Sequence, residues 1–319
     1  MSVYPSYNTM ELKQLTPEEY AATFDSFAPH IYNTSAFAIH NEELAEEVLY
    51  LALASSGKLR LGIILGLRDK RLLSPFSAPF GGMTAHGYQS MNYYQDFASL
   101  LLEFARQRHC EISVTLPPDF YSPGHIAKQT AALSAIGKIL YTDINFHRQL
   151  SPGTPIRKAF FAKTNNQLRG TDKHSLETLS FDAENTENVA RAYNIFSANH
   201  AALGYPMNMT LEQVIATAKI TGSHFTVLNI DGKDAAASMI NTSKPDIAQV
   251  IYWGDLLEMR KYNPMIKLAE ITMERYTSLG FKHFDIGPSS SQGVPAAGLC
   301  RFKESVGCVA TIKPTIVLR

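Results

Sequence analysis

The order of elements legible in residues 11–145 returns in residues 176–318. The first stretch opens with a short strand at 11–15, followed by Thr16-Pro17-Glu18-Glu19, a capping box with Pro at the first helical position. Tyr20, Phe24 and Phe27 then recur at helical spacing. Strands at 48–54 and 59–67 flank a turn at Ser56-Gly57, and a third strand lies near 72–76. After a Gly/Pro-rich loop at 78–82 come a helix over 93–108 (Phe97, Leu101 and Phe104 on one face), a strand at 111–116, a helix from Pro123 to Gly137, and a strand at 139–145.

The second stretch repeats that order. A strand at 176–181 precedes a helix carrying Val189, Ala192, Tyr193 and Phe196, then a helix capped by Thr210 and Gln213. Strands at 225–230 and 235–241 surround Asp231-Gly232, a hairpin turn signal. A strand at 249–253, a helix from Asn263-Pro264 to Gly280, and strands at 281–286 and 310–318 finish the pattern. The offset of roughly 165–170 residues is too long for a solenoid period, so it predicts a duplicated α/β domain with a mixed sheet. The expected division is a first lobe at 1–150, a basic linker at 151–175 and a second lobe at 176–319.

Composition narrows the setting. Lys+Arg and Asp+Glu both number 29, so no net field draws the chain to nucleic acid or anionic lipid. Residues 1–8 lack the charged start and apolar run of a secretory signal, and no apolar stretch is long enough to span a bilayer. Cys110, Cys300 and Cys308 form no CxxC, and an odd count speaks for a reducing, cytoplasmic setting. The ten histidines include no HExxH or other close pair on a helix, so no metal site is expected.

Three segments carry a family resemblance. Leu73-Ser74-Pro75-Phe76 runs on to Gly81-Gly82; Ile156-Arg157-Lys158-Ala159 opens the second half; and Phe284-Asp285-Ile286-Gly287 leads to Gly298-Leu299-Cys300-Arg301-Phe302-Lys303. With the element order, these resemble the FemAB-like family of tandem GNAT-fold (acyl-CoA N-acyltransferase-like) proteins. The resemblance implies two GNAT-like lobes and acyl or aminoacyl transfer to an amine of a nucleotide-linked cell-envelope precursor. It also implies acyl-CoA or aminoacyl-tRNA as co-substrate, with no tightly bound cofactor. An ordinary acyl-CoA N-acyltransferase and a non-catalytic binding or scaffold protein on the same fold stay open. The family's long helical arm has no counterpart here, and 252–263 lacks the glycine-rich loop that cradles a coenzyme A pyrophosphate. Gly81-Gly82…Gly87 is the better cradle by composition.

Direct acyl transfer needs a deprotonated amine, oxyanion donors and aligned substrates, but no nucleophile from the protein. Asp285, at the end of a strand, is placed to accept a proton or to cap the following turn. Lys303, with Arg301, follows what reads as a flexible loop at 287–298; the resemblance makes it a catalytic or phosphate-binding cation, and its residues alone make it a solvated charge. Ser289 and Ser290 suit phosphate or a simple turn. Tyr252 and Trp253 suit a stacked base or a core, with Asp255 and Glu258 as alternative bases. His200 and Tyr205, with Asn208, suit an acceptor groove. Arg157, Lys158, Lys163, Arg169 and Lys173 suit a tRNA acceptor end or a solvated basic helix. Cys300 and Cys308 read as structural thiols.

Overall fold

The computed structural model describes residues 10–319, so the reading of residues 1–8 lies outside the described residues. The described residues form two units, one of residues 10–143 with 312–319, the other of residues 144–311. In chain order the elements are β1 (Met10–Leu15), α1 (Pro17–Phe24), α2 (Ser35–His40), β2 (Glu47–Ser55), β3 (Lys58–Arg68), β4 (Arg71–Ser74), β5 (Met83–Ala85), α3 (Met91–Gln107), β6 (Glu111–Thr115), α4 (Pro123–Ile136) and β7 (Lys138–Gln149). Then come α5 (Ala162–Thr171), β8 (Leu176–Phe181), α6 (Thr186–Leu203), α7 (Leu211–Thr221), β9 (His224–Ile230), β10 (Lys233–Lys244), β11 (Ile247–Asp255), α8 (Pro264–Ser278), β12 (His283–Pro288), β13 (Ser290–Ser291), β14 (Val294–Pro295), α9 (Ala297–Ser305) and β15 (Val309–Leu318).

The first unit's sheet has the order β1-β2-β3-β4-β6-β15, with β5 against β3. Every pairing is antiparallel except β4 with β6. The second unit's sheet has the order β8-β9-β10-β11-β12-β7, antiparallel except β11 with β12. The two patterns are the same, and in each the sixth strand comes from the far end of the other half of the sequence. Mixed pairing in each sheet confirms the α/β class expected from the element order.

Local chemistry explains the elements. Thr16 Oγ1 accepts from the Glu19 N–H while the Glu19 carboxylate accepts from the Thr16 N–H, and Thr210 and Gln213 do the same for α7. Ser56-Gly57 and Asp231-Gly232 both take positive φ, as two-residue hairpin turns require. Asp69-Lys70 forms a third such turn, between β3 and β4, without the glycine that announces one. In the first unit, α1 sets Tyr20 and Phe24 against Tyr50, Ala52 and Ile64 on one face of the sheet. On the other face, α3 sets Phe97 and Leu101 against the alternate residues of β2 and β3. Phe104 is half-buried beside them. Each fully buried Phe or Leu contributes about 2–3 kcal/mol. Phe27 falls in a single 3-10 turn beyond α1 and is exposed, so it leaves the core its spacing suggested.

In the second unit α6 and α7 bring Val189, Phe196 and Val214 onto Phe225, Val227 and Met239. The opposite face carries α8, through Leu268, Ala269 and Met273. Residues 287–298 are not a loose loop. They form the β13–β14 hairpin and the start of α9, which runs on through Arg301 and Lys303.

Candidate functional site

In the second unit the parallel pair β11 and β12 is joined over three residues only: Ile247 with His283, Ala248 with Phe284, and Gln249 with Asp285. Both strands continue, to Asp255 and Pro288, without further pairing to one another. A bulge helps them part: Tyr252 faces Met239 and Val250 faces Ile240, leaving Ile251 as an extra residue. The result is a crevice at the carboxyl ends of two parallel strands, where backbone groups of β11 meet no partner on β12.

The proposed side chains divide between the two faces of this sheet. Tyr252 packs under α6, with its ring stacked on Phe196 and edge-on to His200, both at 5.7 Å. Burial pushes the Tyr252 phenol up. His200 Nδ1 lies 3.1 Å from the Pro206 carbonyl oxygen, and the exposed Tyr205 donates its N–H to the His200 carbonyl at 3.0 Å. Trp253 turns to the opposite face and meets Phe302 of α9 edge-on at 5.8 Å. Successive strand residues point to opposite faces. Tyr252 and Trp253 therefore do not line one pocket.

Asp285 and Lys303 meet at Gly287. Asp285 is 0 % exposed; its Oδ1 accepts from Asn145 Nδ2 at 2.8 Å and from the Gly287 N–H at 2.9 Å. Lys303 is 2 % exposed, and its Nζ donates to the carbonyl oxygens of Gly287 and Pro288, both at 2.8 Å. This corrects the reading of Lys303 as a solvated charge: α9 carries the side chain inward, and two carbonyls replace water. Arg301, two residues earlier, is exposed. Ser290 Oγ accepts the Ile144 N–H at 2.7 Å, and the Ser289 N–H donates to the Ile144 carbonyl at 2.8 Å. The Ser289 hydroxyl is enclosed, without a hydrogen-bond partner among the described residues. These serines thus hold the strand end to the start of the second unit.

Of the alternative bases, Glu258 is exposed and Asp255 is buried. Burial pushes the Asp255 carboxyl up, against Arg260 and Asn199. Asn199 Nδ2 reaches Asp255 Oδ1 at 2.7 Å because α6 approaches β11 closely; a Cβ at Gly254 would stand 2.7 Å from the Asn199 Cβ.

The basic segment is partly spent on the fold. Arg157 binds Asp172 and the buried Glu270 of α8, and Lys267 Nζ joins both carboxylates at 2.9 and 2.8 Å. Lys158, Lys163, Arg169 and Lys173 are exposed. In the first unit the amides of 81–83 are also committed. Gly81 N–H donates to the Thr115 carbonyl, Gly82 N–H to Ser74 Oγ and Met83 N–H to Gln129 Oε1. Gly82 takes φ +107°, and a Cβ there would stand 2.7 Å from Gln129 Oε1. This loop is a structural turn and not the phosphate cradle its composition suggested.

Sequence reasoning missed His147, Gln249, Asn145 and Asn241, which are buried polar residues around Asp285. The alternation along 145–149 is the available signal, beyond the strand expected at 139–145. Among the described residues, no group of three His, Cys, Asp or Glu is arranged to hold a metal ion. Among them too, no helix is long and apolar enough to cross a membrane.

No family model and no curated protein matches the chain. Solved structures do. FemX is similar with a TM-score of 0.66 at 10% identity, covering 97% of both chains. A tandem GNAT protein from the clavulanic acid biosynthesis pathway gives 0.53 at 13%, covering 97% of this chain and 98% of that one. The chain has the FemAB-like tandem GNAT fold. The C-terminal domain of a putative lysylphosphatidylglycerol synthetase from Agrobacterium fabrum shares this GNAT architecture, with a TM-score of 0.60 at 12% identity over 95% of this chain and 93% of that one.

Proposed function

We propose that the chain is an acyl- or aminoacyltransferase acting on an amine of a nucleotide-linked cell-envelope precursor, with its reaction site in the crevice of the second unit. The observation that carries this reading is the parting of β11 and β12 after Gln249 and Asp285. A parted parallel pair offers unladdered backbone N–H groups to a developing oxyanion and room for two substrates end to end. Asp285, Lys303, Ser289 and Ser290 shape the β12 side of the crevice. Tyr252, His200 and Tyr205 shape the acceptor side, and Trp253 and Arg301 lie behind it. FemX and a lysylphosphatidylglycerol synthetase domain, both of this fold, incline the donor toward an aminoacyl group.

Aminoacyl-tRNA is the favoured donor over acyl-CoA. The connection from β11 to α8 is a 3-10 turn, and α8 begins with Pro264, which has no N–H to offer a pyrophosphate. Lys158, Lys163, Arg169 and Lys173 are the cations for a tRNA acceptor end. A cytosolic setting belongs to the same proposal, in keeping with three free cysteines.

The test is a thermal-shift comparison of coenzyme A, acetyl-CoA, nucleotide-sugar peptide precursors and aminoacyl-tRNA. A ligand that binds the native state alone raises the melting temperature. A rise with an envelope precursor or aminoacyl-tRNA supports the reading. A rise with acetyl-CoA alone turns it to the acyl-CoA enzyme, and no rise with any of them turns it to the scaffold protein.

A further inference from the structure

Four buried polar side chains line up across four strands of the second unit. Asn241 on β10 stands opposite Gln249 on β11; Gln249 is level with Asp285 on β12; Asp285 stands opposite His147 on β7. Residues in register share a face of the sheet. This is the face of Met239 and Tyr252, which α6 and α7 cover. The four are 4, 6, 0 and 8 % exposed in that order. Burying so many polar groups in a row costs stability unless they satisfy one another. Apolar residues would build a simpler core, so the row calls for a reason beyond packing.

Its position supplies one. The row crosses the sheet at the last matched pair before β11 and β12 separate. Two of its members titrate, and His283, two residues before Asp285, brings a second imidazole to the same face, its ring centred 5.5 Å from that of His147. Directly opposed residues of an antiparallel pair have Cβ atoms about 4.5–5.5 Å apart, within reach for a carboxylate to favour the imidazolium form of its neighbour. Asn145 Nδ2 and the Gly287 N–H both donate to the Oδ1 of this carboxylate. Arg148 alternates to the opposite face and donates to the carbonyls of Val306, Gly307 and Ile156, while Lys303 donates to Gly287 and Pro288.

We propose that Asp285 and His147 act as one coupled proton-binding unit beside the β12 wall of the crevice, with His147 receiving the proton that the acceptor amine gives up. The inference rests on the acyl-transfer reading above. In that step the bond from amine nitrogen to acyl carbon forms and the bond from acyl carbon to the donor's oxygen or sulfur breaks. The amine proton passes to the His147 imidazole, and the leaving oxygen or sulfur anion then takes a proton from the imidazolium. Asp285 is a positioning residue in this scheme: it steadies the charged imidazole without itself meeting the substrate.

The pair is tested without any substrate, by NMR titration of the histidine side chains in the whole protein. Asp285→Asn should lower the titration midpoint of His147 by roughly one pH unit or more, and shift exposed His109 not at all. An unchanged His147 midpoint overturns the pair. Coupling is reciprocal, so a second variant reads the same quantity if Asp285→Asn does not fold. His147→Gln should move the carboxyl titration of Asp285 by the same amount, and no movement again overturns the pair. The role in transfer is read separately, once an acceptor turns over. His147→Gln should remove the acidic limb of the kcat/KM profile, and a retained limb with intact coupling overturns that role. Loss of the coupling and loss of the acyl-transfer reading are thus distinguished.

Discussion

Lys303 on α9 donates from Nζ to the carbonyl oxygen of Gly287 at 2.8 Å, from a position 2 % exposed to solvent. The same nitrogen binds the Pro288 carbonyl. A buried cation on two carbonyls fastens α9 to the end of β12. Lys303→Met should therefore destabilise the protein by about 1–2 kcal/mol, since it removes the donor shared by two part-buried carbonyls. Arg301→Met, two residues away on the exposed side, should stay within about 0.5 kcal/mol of the parent. Urea unfolding of both variants checks this, and equal stability of the two would refute the fastening role.

The Arg157, Lys267, Asp172 and Glu270 network predicts acid sensitivity. Burial pushes Glu270 up, but hydrogen bonds from Arg157 and Lys267 prevail, and its carboxyl lies below its ordinary value of 4.5. Arg157 and Lys267 hold Asp172 low as well, below 3.8. A depressed folded-state pKa adds stability that is full above the unfolded pKa and lost as pH falls through the folded one. Stability of the parent should thus decline as pH drops below about 4.5, and Glu270→Gln should flatten that decline. At pH 7 the same variant should cost about 2 kcal/mol, less than the roughly 3–5 kcal/mol for breaking a fully buried pair, because Arg157 keeps partial exposure and Asp172. Chemical denaturation from pH 7 to pH 3 would show an unaltered slope in Glu270→Gln if the network were idle.

Cys308 is enclosed, and burial pushes its thiol up to about 12. The thiolate is the reactive form. At pH 8 iodoacetamide should leave Cys308 unmodified in the native protein and label it once urea unfolds the chain. Peptide mass spectrometry reads both states, and rapid native labelling of Cys308 would contradict the packing around Arg148 and Val306.

Acetyl-CoA should not bind the second unit tightly, because the turn before α8 lacks free glycine amides and Pro264 occupies its first position. Isothermal titration should give a dissociation constant weaker than micromolar. Micromolar binding that is lost when residues 256–263 are altered would favour the acyl-CoA enzyme.

The element order was legible because most strands and helices announce themselves locally, through the Thr16 and Thr210 caps, the Asp231-Gly232 turn and the Phe97–Leu101 stripe. Where the signal failed, a physical cause is visible. Asp69-Lys70 makes its turn without glycine, and α9 has only nine residues, no side-chain N-cap and Gly298 in its first turn. The site was less legible still. Asp285 and Lys303 stand out as residues, but no local pattern says that a lysine near three serines and three glycines turns inward. His147 stayed hidden because its partner lies 138 positions away and only the register of β7 on β12 brings them level.

The sixth strand of each sheet has a consequence for biogenesis. Residues 312–318 leave the ribosome after all of the second unit, yet they pair with β6 of the first. While residues 144–311 are being made, the first unit exists with the β6 edge bare, and an uncovered edge invites pairing with the wrong chain. The second unit, whose β7 segment precedes it, can assemble in order of synthesis. The half of the protein born first is thus the half that must wait, and a stalled nascent chain would be most prone to aggregate through Glu111–Thr115.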